Sequence, residues 1–176
     1  SGHLLTLACA FRLAAQIAQA RRQLGGDVAH ACQVLLGGIE PAQCGVLAAA
    51  AVGERIEHFG ADRVAAVIME PNAGSNGIVA PDNFWPELRR ATRERDVLLI
   101  ADEVMSAFGR CGEWFAWQRY GAGHAPDMMT LAKGLTGAAL PLGAVVISAD
   151  VAARLEHDML FTGLTYCGHP LCCAAG

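Results

Sequence analysis

Lysine is the residue this sequence most nearly lacks. One lysine, Lys133, stands against twelve arginines in 176 residues. Charge of either sign is thin at 17%, aromatics reach only 6%, and hydrophobic residues make up 53%. A chain so apolar requires a deeply buried sheet or a partner surface. The net charge of −4 gives no electrostatic case for nucleic acid or an anionic membrane. Long hydrophobic runs are missing too. Gly134–Ala149 is uncharged but short and broken by Pro141, and Met159–Gly176 carries His169, Pro170 and glycines, so neither reads as a membrane span. Ser1-Gly2-His3 lacks the basic start of a signal peptide. The first residue is not Met and the last are Cys-Cys-Ala-Ala-Gly, so both ends read as cut from something longer. The seven cysteines form no CxxC pair and are odd in number, which argues against a disulfide framework or a metal site. Buried free thiols in a reducing, cytoplasmic setting are expected. No internal repeat or low-complexity segment is present. The length suits one partial domain, 1–176, with a real core.

What is there centres on Thr130-Leu131-Ala132-Lys133-Gly134-Leu135. Lys133 is the only charge between Met128 and Leu140. An unpaired ammonium is costly to bury, so this lysine either reaches solvent or has a lowered pKa. A neutral amine there can form a Schiff base with a carbonyl. The bland alternative is a helix-end lysine that snorkels to water.

The rest of the chain gives Lys133 a frame. Leu4, Leu7, Phe11 and Ala14 recur at helical spacing, which predicts a helix over 3–24 closed by Gly25-Gly26. Residues 27–40 suit a strand or a buried helical turn equally. Pro41 opens a helix that runs through Val46, Leu47, Ala50, Ala51 and Ile56 to Phe59, where Gly60 stops it. Val64–Met69 and Val97–Ala101 are unbroken apolar runs of strand length, as in parallel sheets covered on both sides. Glu70–Gly77 is a turn-rich loop. Asp82 is the expected N-cap of a helix over 83–95. Phe108–Gly112 reads as a glycine-punctuated loop and Trp114–Tyr120 as a short aromatic helix. Met128–Leu131 and Leu142–Ile147 are two further strands, and Ser148 caps a helix to about His157. Strands alternating with helices predict an α/β fold, a mostly parallel sheet with right-handed crossovers and helices on both faces. Ligands bind such sheets beyond the carboxyl ends of the strands. Glu70, Asp102 and Lys133 all fall there.

Pyridoxal phosphate chemistry needs a lysine to hold the cofactor aldehyde and move the substrate's proton. It needs a carboxylate beside the pyridine nitrogen, so that the ring accepts electrons. Lys133 and Asp102 are of the right type at successive strand ends. The bland reading of Asp102-Glu103 is a pair of carboxylates capping a loop. The order of further words is more specific: Met69-Glu70-Pro71, Ala101-Asp102-Glu103-Val104, Phe108-Gly109-Arg110-Cys111-Gly112, Pro126-Asp127, Ala132-Lys133-Gly134-Leu135, Pro141-Leu142-Gly143 and Thr165-Tyr166 with Gly168-His169-Pro170.

This series resembles the class III pyridoxal phosphate aminotransferases, of the ornithine and ω-amino acid type, over about residues 55–176. The resemblance implies part of the large domain of a fold-type I enzyme, binding pyridoxal 5'-phosphate and working as a homodimer. It implies that Lys133 forms the Schiff base, that Asp102 pairs with the pyridine nitrogen and that Val104 packs on the ring. It implies that Thr165 binds the phosphate of a neighbouring subunit's cofactor and that Glu70 lies near the site. Met105, with the Glu-Pro-Asn-Ala-Gly loop and Thr-Tyr-Cys-Gly-His-Pro, looks most like the branch that pairs taurine, ω-amino acids or amines with pyruvate. The partners implied are an amino donor and a keto acid. His169 is expected to be a helix-entry residue, Arg110 a brace, Trp114, Phe115 and Trp117 packing residues, and Cys172-Cys173 small buried ones.

Residues 46–176 match this pattern well and 1–45 poorly. Ser1-Gly2 resembles the small-residue entry to a phosphate-binding helix, but His3-Leu4-Leu5 follows where small and acidic residues are usual. A stacking aromatic and the small domain have no counterpart. Two readings follow: a segment of an active transaminase, or a non-catalytic remnant that at most binds cofactor or forms a dimer.

Overall fold

The computed structural model describes residues 3–5, 41–74, 77–157 and 163–176. Five strands form one sheet in the order β1-β2-β5-β6-β7: β1 His3–Leu5, β2 Val64–Met69, β5 Leu98–Asp102, β6 Met128–Leu131 and β7 Ala144–Ile147. β1, β2, β5 and β6 run parallel, and β7 closes the edge antiparallel to β6. A mixed, mostly parallel α/β sheet is therefore the architecture. β3 Asn72–Ala73 and β4 Ile78–Val79 make a small antiparallel ladder. The loop expected after Met69 thus folds back on itself.

Helix α1, Pro41–Phe59, has the predicted ends. Its buried positions are Cys44, Ala49, Val52 and Ile56, while Val46 and Leu47 are exposed. In so alanine-rich a helix the sequence offers weak contrast between faces. Gly45 lets the neighbouring helix close in: a Cβ there would meet the backbone nitrogen of Phe84 at 3.2 Å.

Helix α2, Phe84–Arg93, is shorter than expected, and its N-cap is Asn83, not Asp82. Asp82 pairs with Arg119 instead. Trp85 and Leu88 are fully buried against Val67, Leu99 and Ala101 of the sheet. Burying each such large side chain stabilises by about 2–3 kcal/mol. The alternation along β5 buries Leu99 and Ala101 under these helices and leaves Leu98, Ile100 and Asp102 half-exposed on the opposite face.

Helices α3, Ala149–Leu155, and α4, Pro170–Ala175, complete the described elements. Ser148 caps α3 as expected, its Oγ accepting from the Val151 N–H at 3.3 Å. Between β5 and β6 the predicted aromatic helix is a 3-10 segment, Ala116–Tyr120.

The expectation of a helix over 3–24 is corrected at its start. His3–Leu5 pairs as a parallel strand with β2, because a short apolar segment gains more from an open sheet edge than from an isolated turn. The rest of that expected helix, and residues 27–40, lie outside the described residues. Among the described residues no helix is long and apolar enough to cross a membrane.

Asp127, just before β6, ties the layers together. Its carboxylate accepts from both terminal nitrogens of Arg89, Nη1 and Nη2, at 2.6 Å and from the Leu99 N–H at 2.7 Å. Its own N–H donates to Leu99 O and its carbonyl accepts from Ser148 N–H, each at 2.8 Å. One residue thus joins α2, β5, β6 and the start of α3. Burial pushes the carboxyl pKa up, but the hydrogen bonds from Arg89 and Leu99 and the charges of Arg89 and Arg93 outweigh it, so the net shift is downward.

Two outcomes are expected. Replacing Asp127 by Ala strands the buried Arg89 and costs about 3 kcal/mol in denaturant unfolding. In the wild type, the stability due to this ionised carboxylate is complete above the ordinary aspartate pKa of about 3.9 and is lost as pH falls through its lower folded value. A stability profile of the Asp127→Ala variant that keeps the wild-type acid limb would contradict this.

Candidate active site

The carboxyl ends of β2, β5 and β6 lie side by side. Met69 is in register with Ala101, and Asp102 with Thr130. Glu70 therefore follows β2 next to Asp102, and Lys133 leaves β6 three residues past Asp102's register partner. Neighbouring strands are about 4.8 Å apart, so these residues share one rim of the sheet.

Each is held by its local fold. The Asp102 Oδ1 accepts from the Val104 N–H at 3.1 Å, and among the described residues this is its one hydrogen bond. A short turn of this kind orients the carboxylate while leaving the second oxygen for another donor. Val104, two residues on, is half-buried. Glu70 Oε2 accepts from the Gly74 N–H at 2.8 Å and so folds its own loop. That loop packs on Met105: a Cβ on Gly74 would meet the Met105 Cβ at 2.6 Å.

Lys133 is exposed and opens a single 3-10 turn, Lys133–Thr136, with φ of +46°. A non-glycine residue there is strained and persists only where its surroundings hold it. No hydrogen bond or ion pair engages its ammonium among the described residues. Within β6, the buried Thr130 Oγ1, on the residue in register with Asp102, also has no partner among the described residues. An unspent carboxylate oxygen and an unengaged lysine side chain at adjacent strand ends can receive a ligand. They fit a heteroaromatic aldehyde with a protonatable ring nitrogen.

Glu103 was missed as a distinct residue; only the bland reading of the Asp-Glu pair, loop capping, anticipated it. Its side chain is fully buried. Oε2 accepts from Ser106 Oγ at 2.5 Å and the Ala116 N–H at 3.1 Å, and Oε1 from the Trp117 N–H at 2.9 Å. Its own N–H donates to Thr130 O at 3.0 Å, extending the β5–β6 ladder past Asp102. The alternation of side chains along an extended strand end could have signalled that Asp102 and Glu103 point opposite ways.

The other expected residues divide. His169 caps α4, its Nδ1 accepting from the Cys172 N–H at 3.5 Å, as a helix-entry histidine should. Trp117 packs on the core and donates to Met129 Sδ at 3.1 Å. Phe115 meets Phe108 edge-on at 6.1 Å. Trp114, expected to pack, is 70% exposed. Cys173 is exposed and Cys172 half-buried, against the expected burial, because α4 buries no residue in this structure. Of Cys44, Cys111, Cys167, Cys172 and Cys173, Cys44 alone is buried. Thr165 is exposed in the turn at 165–168, with no hydrogen bond to the strand-end residues among those described. Arg110 is exposed. Ser1-Gly2 lies outside the described residues. No group of metal-binding side chains occurs among the described residues.

A model of the family aminotransferase class-III matches residues 25–176. The chain belongs to the class-III aminotransferases. A putrescine–pyruvate aminotransferase of Pseudomonas aeruginosa is 44% identical over 140 residues, which are 78% of this chain and 30% of that protein. An omega-aminotransferase of Caulobacter vibrioides is 45% identical over 122 residues, 66% of this chain and 27% of that one. Among solved structures, an S-selective transaminase from Arthrobacter sp. superposes with a TM-score of 0.70 at 41% identity, covering 73% of this chain and 28% of that one. A taurine:2-oxoglutarate aminotransferase from Bifidobacterium kashiwanohense, solved in complex with PLP and glutamate, gives 0.73 at 39% identity, covering 78% and 31%. This class-III chain thus spans a little under a third of the length of these relatives.

Replacing Glu103 by Gln sets an amide nitrogen against one of the N–H donors. It is expected to cost about 2 kcal/mol and to open residues 108–115 to proteolysis. Wild-type stability and protease resistance in Glu103→Gln would contradict the anchoring role.

Proposed function

We propose that this protein is a pyridoxal 5'-phosphate-dependent transaminase that moves an amino group from an ω-amino acid or amine to a keto acid such as pyruvate. The observation that carries the reading is the shared rim of Asp102 and Lys133 at the ends of adjacent parallel strands, in a chain of the class-III family. When bound, the cofactor supplies an electron sink for the carbon that loses its proton. The chain supplies the rest. Lys133 Nζ is the nucleophile for the cofactor aldehyde and the base that moves the substrate's proton. The free Asp102 oxygen would accept from the ring nitrogen and hold it protonated. Val104 offers an apolar contact to the ring, and Glu70 shapes the rim through the loop it folds. Thr165, exposed and without a partner at its own site, serves the phosphate in a second copy of the chain. A homodimer in the cytoplasm belongs to the same reading, and the free thiols are compatible with it.

A second reading is a cofactor-binding or dimer-forming module without turnover. It is favoured by the exposed apolar strand β7, where Val145, Val146 and Ile147 face solvent. Incubation with cofactor, an amine panel and pyruvate separates the two: alanine forms only under the first.

Covalent capture of pyridoxal phosphate by borohydride is expected at Lys133 and absent in Lys133→Ala. Label retained elsewhere in that variant would overturn the assignment. Asp102→Asn is expected to keep the capture while lowering transamination by about 10²-fold. Equal turnover in both proteins would remove Asp102 from the role.

A further inference from the structure

Two strained backbone positions meet beside Lys133. Lys133 has φ of +46° and Phe108 has φ of +59°. Neither is glycine, so each conformation is imposed by what surrounds it. The residue after Lys133 is Gly134, and it lies directly against Phe108. A Cβ on Gly134 would meet Phe108 Cδ2 at 2.9 Å, Cβ at 3.2 Å and Cγ at 3.3 Å. Because the close atoms include Phe108's own Cβ and Cγ, ring rotation alone does not make room.

Phe108 is fixed from behind. Its N–H donates to Trp114 O at 2.6 Å, and the Gly109 N–H donates to Glu113 O at 3.2 Å. Its ring meets Phe115 edge-on. The two ends of this loop are held by the buried Glu103 carboxylate through Ser106, Ala116 and Trp117. On the other side, the turn is closed by the Ala138 N–H donating to Lys133 O at 3.3 Å and by Gly137 in the left-handed region.

We infer that Phe108 is a positioning residue for Lys133. Its ring, seated on the bare backbone of Gly134, locks the turn that aims the Lys133 side chain at the rim beside Asp102. The inference rests on the proposed function and adds to it why position 134 must lack a side chain. Gly134 does not have positive φ, so an alanine there is opposed by Phe108 and not by its own backbone.

The test uses the single lysine. Pyridoxal phosphate is trapped with borohydride under initial-rate conditions, and label at Lys133 is quantified by peptide mass. Phe108→Ala and Gly134→Ala are each expected to slow capture at least tenfold. The double variant is expected to recover much of the loss of Gly134→Ala, because the new methyl occupies space left by the ring. Val52→Ala, a core change in α1, serves as the control for general destabilisation and is expected to capture at the wild-type rate. Wild-type capture rates in Phe108→Ala and Gly134→Ala would overturn the positioning role, as would an equal loss in Val52→Ala or a double variant worse than both singles. Failure of the wild type itself to be labelled at Lys133 would instead overturn the proposed function, and this inference with it.

Discussion

The site depends on a buried carboxyl group that, among the described residues, no cation bonds. Glu103 is fully buried, and its carboxylate is met by a hydroxyl and two backbone N–H groups instead of a basic side chain. A carboxylate in a low-dielectric interior is tolerable only when donors saturate it. Those donors come from residues 106, 116 and 117, so satisfying the charge also closes the loop between them. The backbone of Glu103 continues the ladder to Thr130 and thereby sets where β5 ends relative to β6. The positions of Asp102 and of the Lys133 turn follow from that register.

Adjacent carboxylates therefore do opposite work. Asp102 faces the rim with one oxygen engaged by Val104, whereas Glu103 turns inward and spends its oxygens on the loop. The strand's alternation makes this division without further machinery.

Much of the frame was legible in the residues. The runs at Val64–Met69 and Met128–Leu131 are strands with the bounds read from their apolar character, because a centrally placed parallel strand needs apolar side chains on both faces. Pro41, by its fixed φ, and Gly60, by its freedom to take a φ of +87°, bracketed α1. What was not legible depended on tertiary partners. Asp82 has a capping residue's chemistry but is drawn to Arg119. The direction of β7 cannot be read from four apolar residues; the connection from β6 holds only the 3-10 turn Lys133–Thr136 and no helix to cross the sheet, so the chain reverses. In the site, the types and order of Asp102 and Lys133 were readable, since chemistry limits the choice. Phe108 and Asp127 stand in the ordered words, but their roles were not readable, since one acts by shape and the other by hydrogen bonds whose partners lie 28 and 38 residues away.

Strand β6 is only four residues long, about 13 Å from end to end. Asp127, which binds the layers, stands at its entry, and the Lys133 turn stands at its exit. The two demands on the chain are thus physically separated along one short rod. Substitutions at the exit rim are therefore expected to leave the clasp at the entry intact. Architecture of this kind lets a lineage diversify its substrates while spending little of its narrow stability margin.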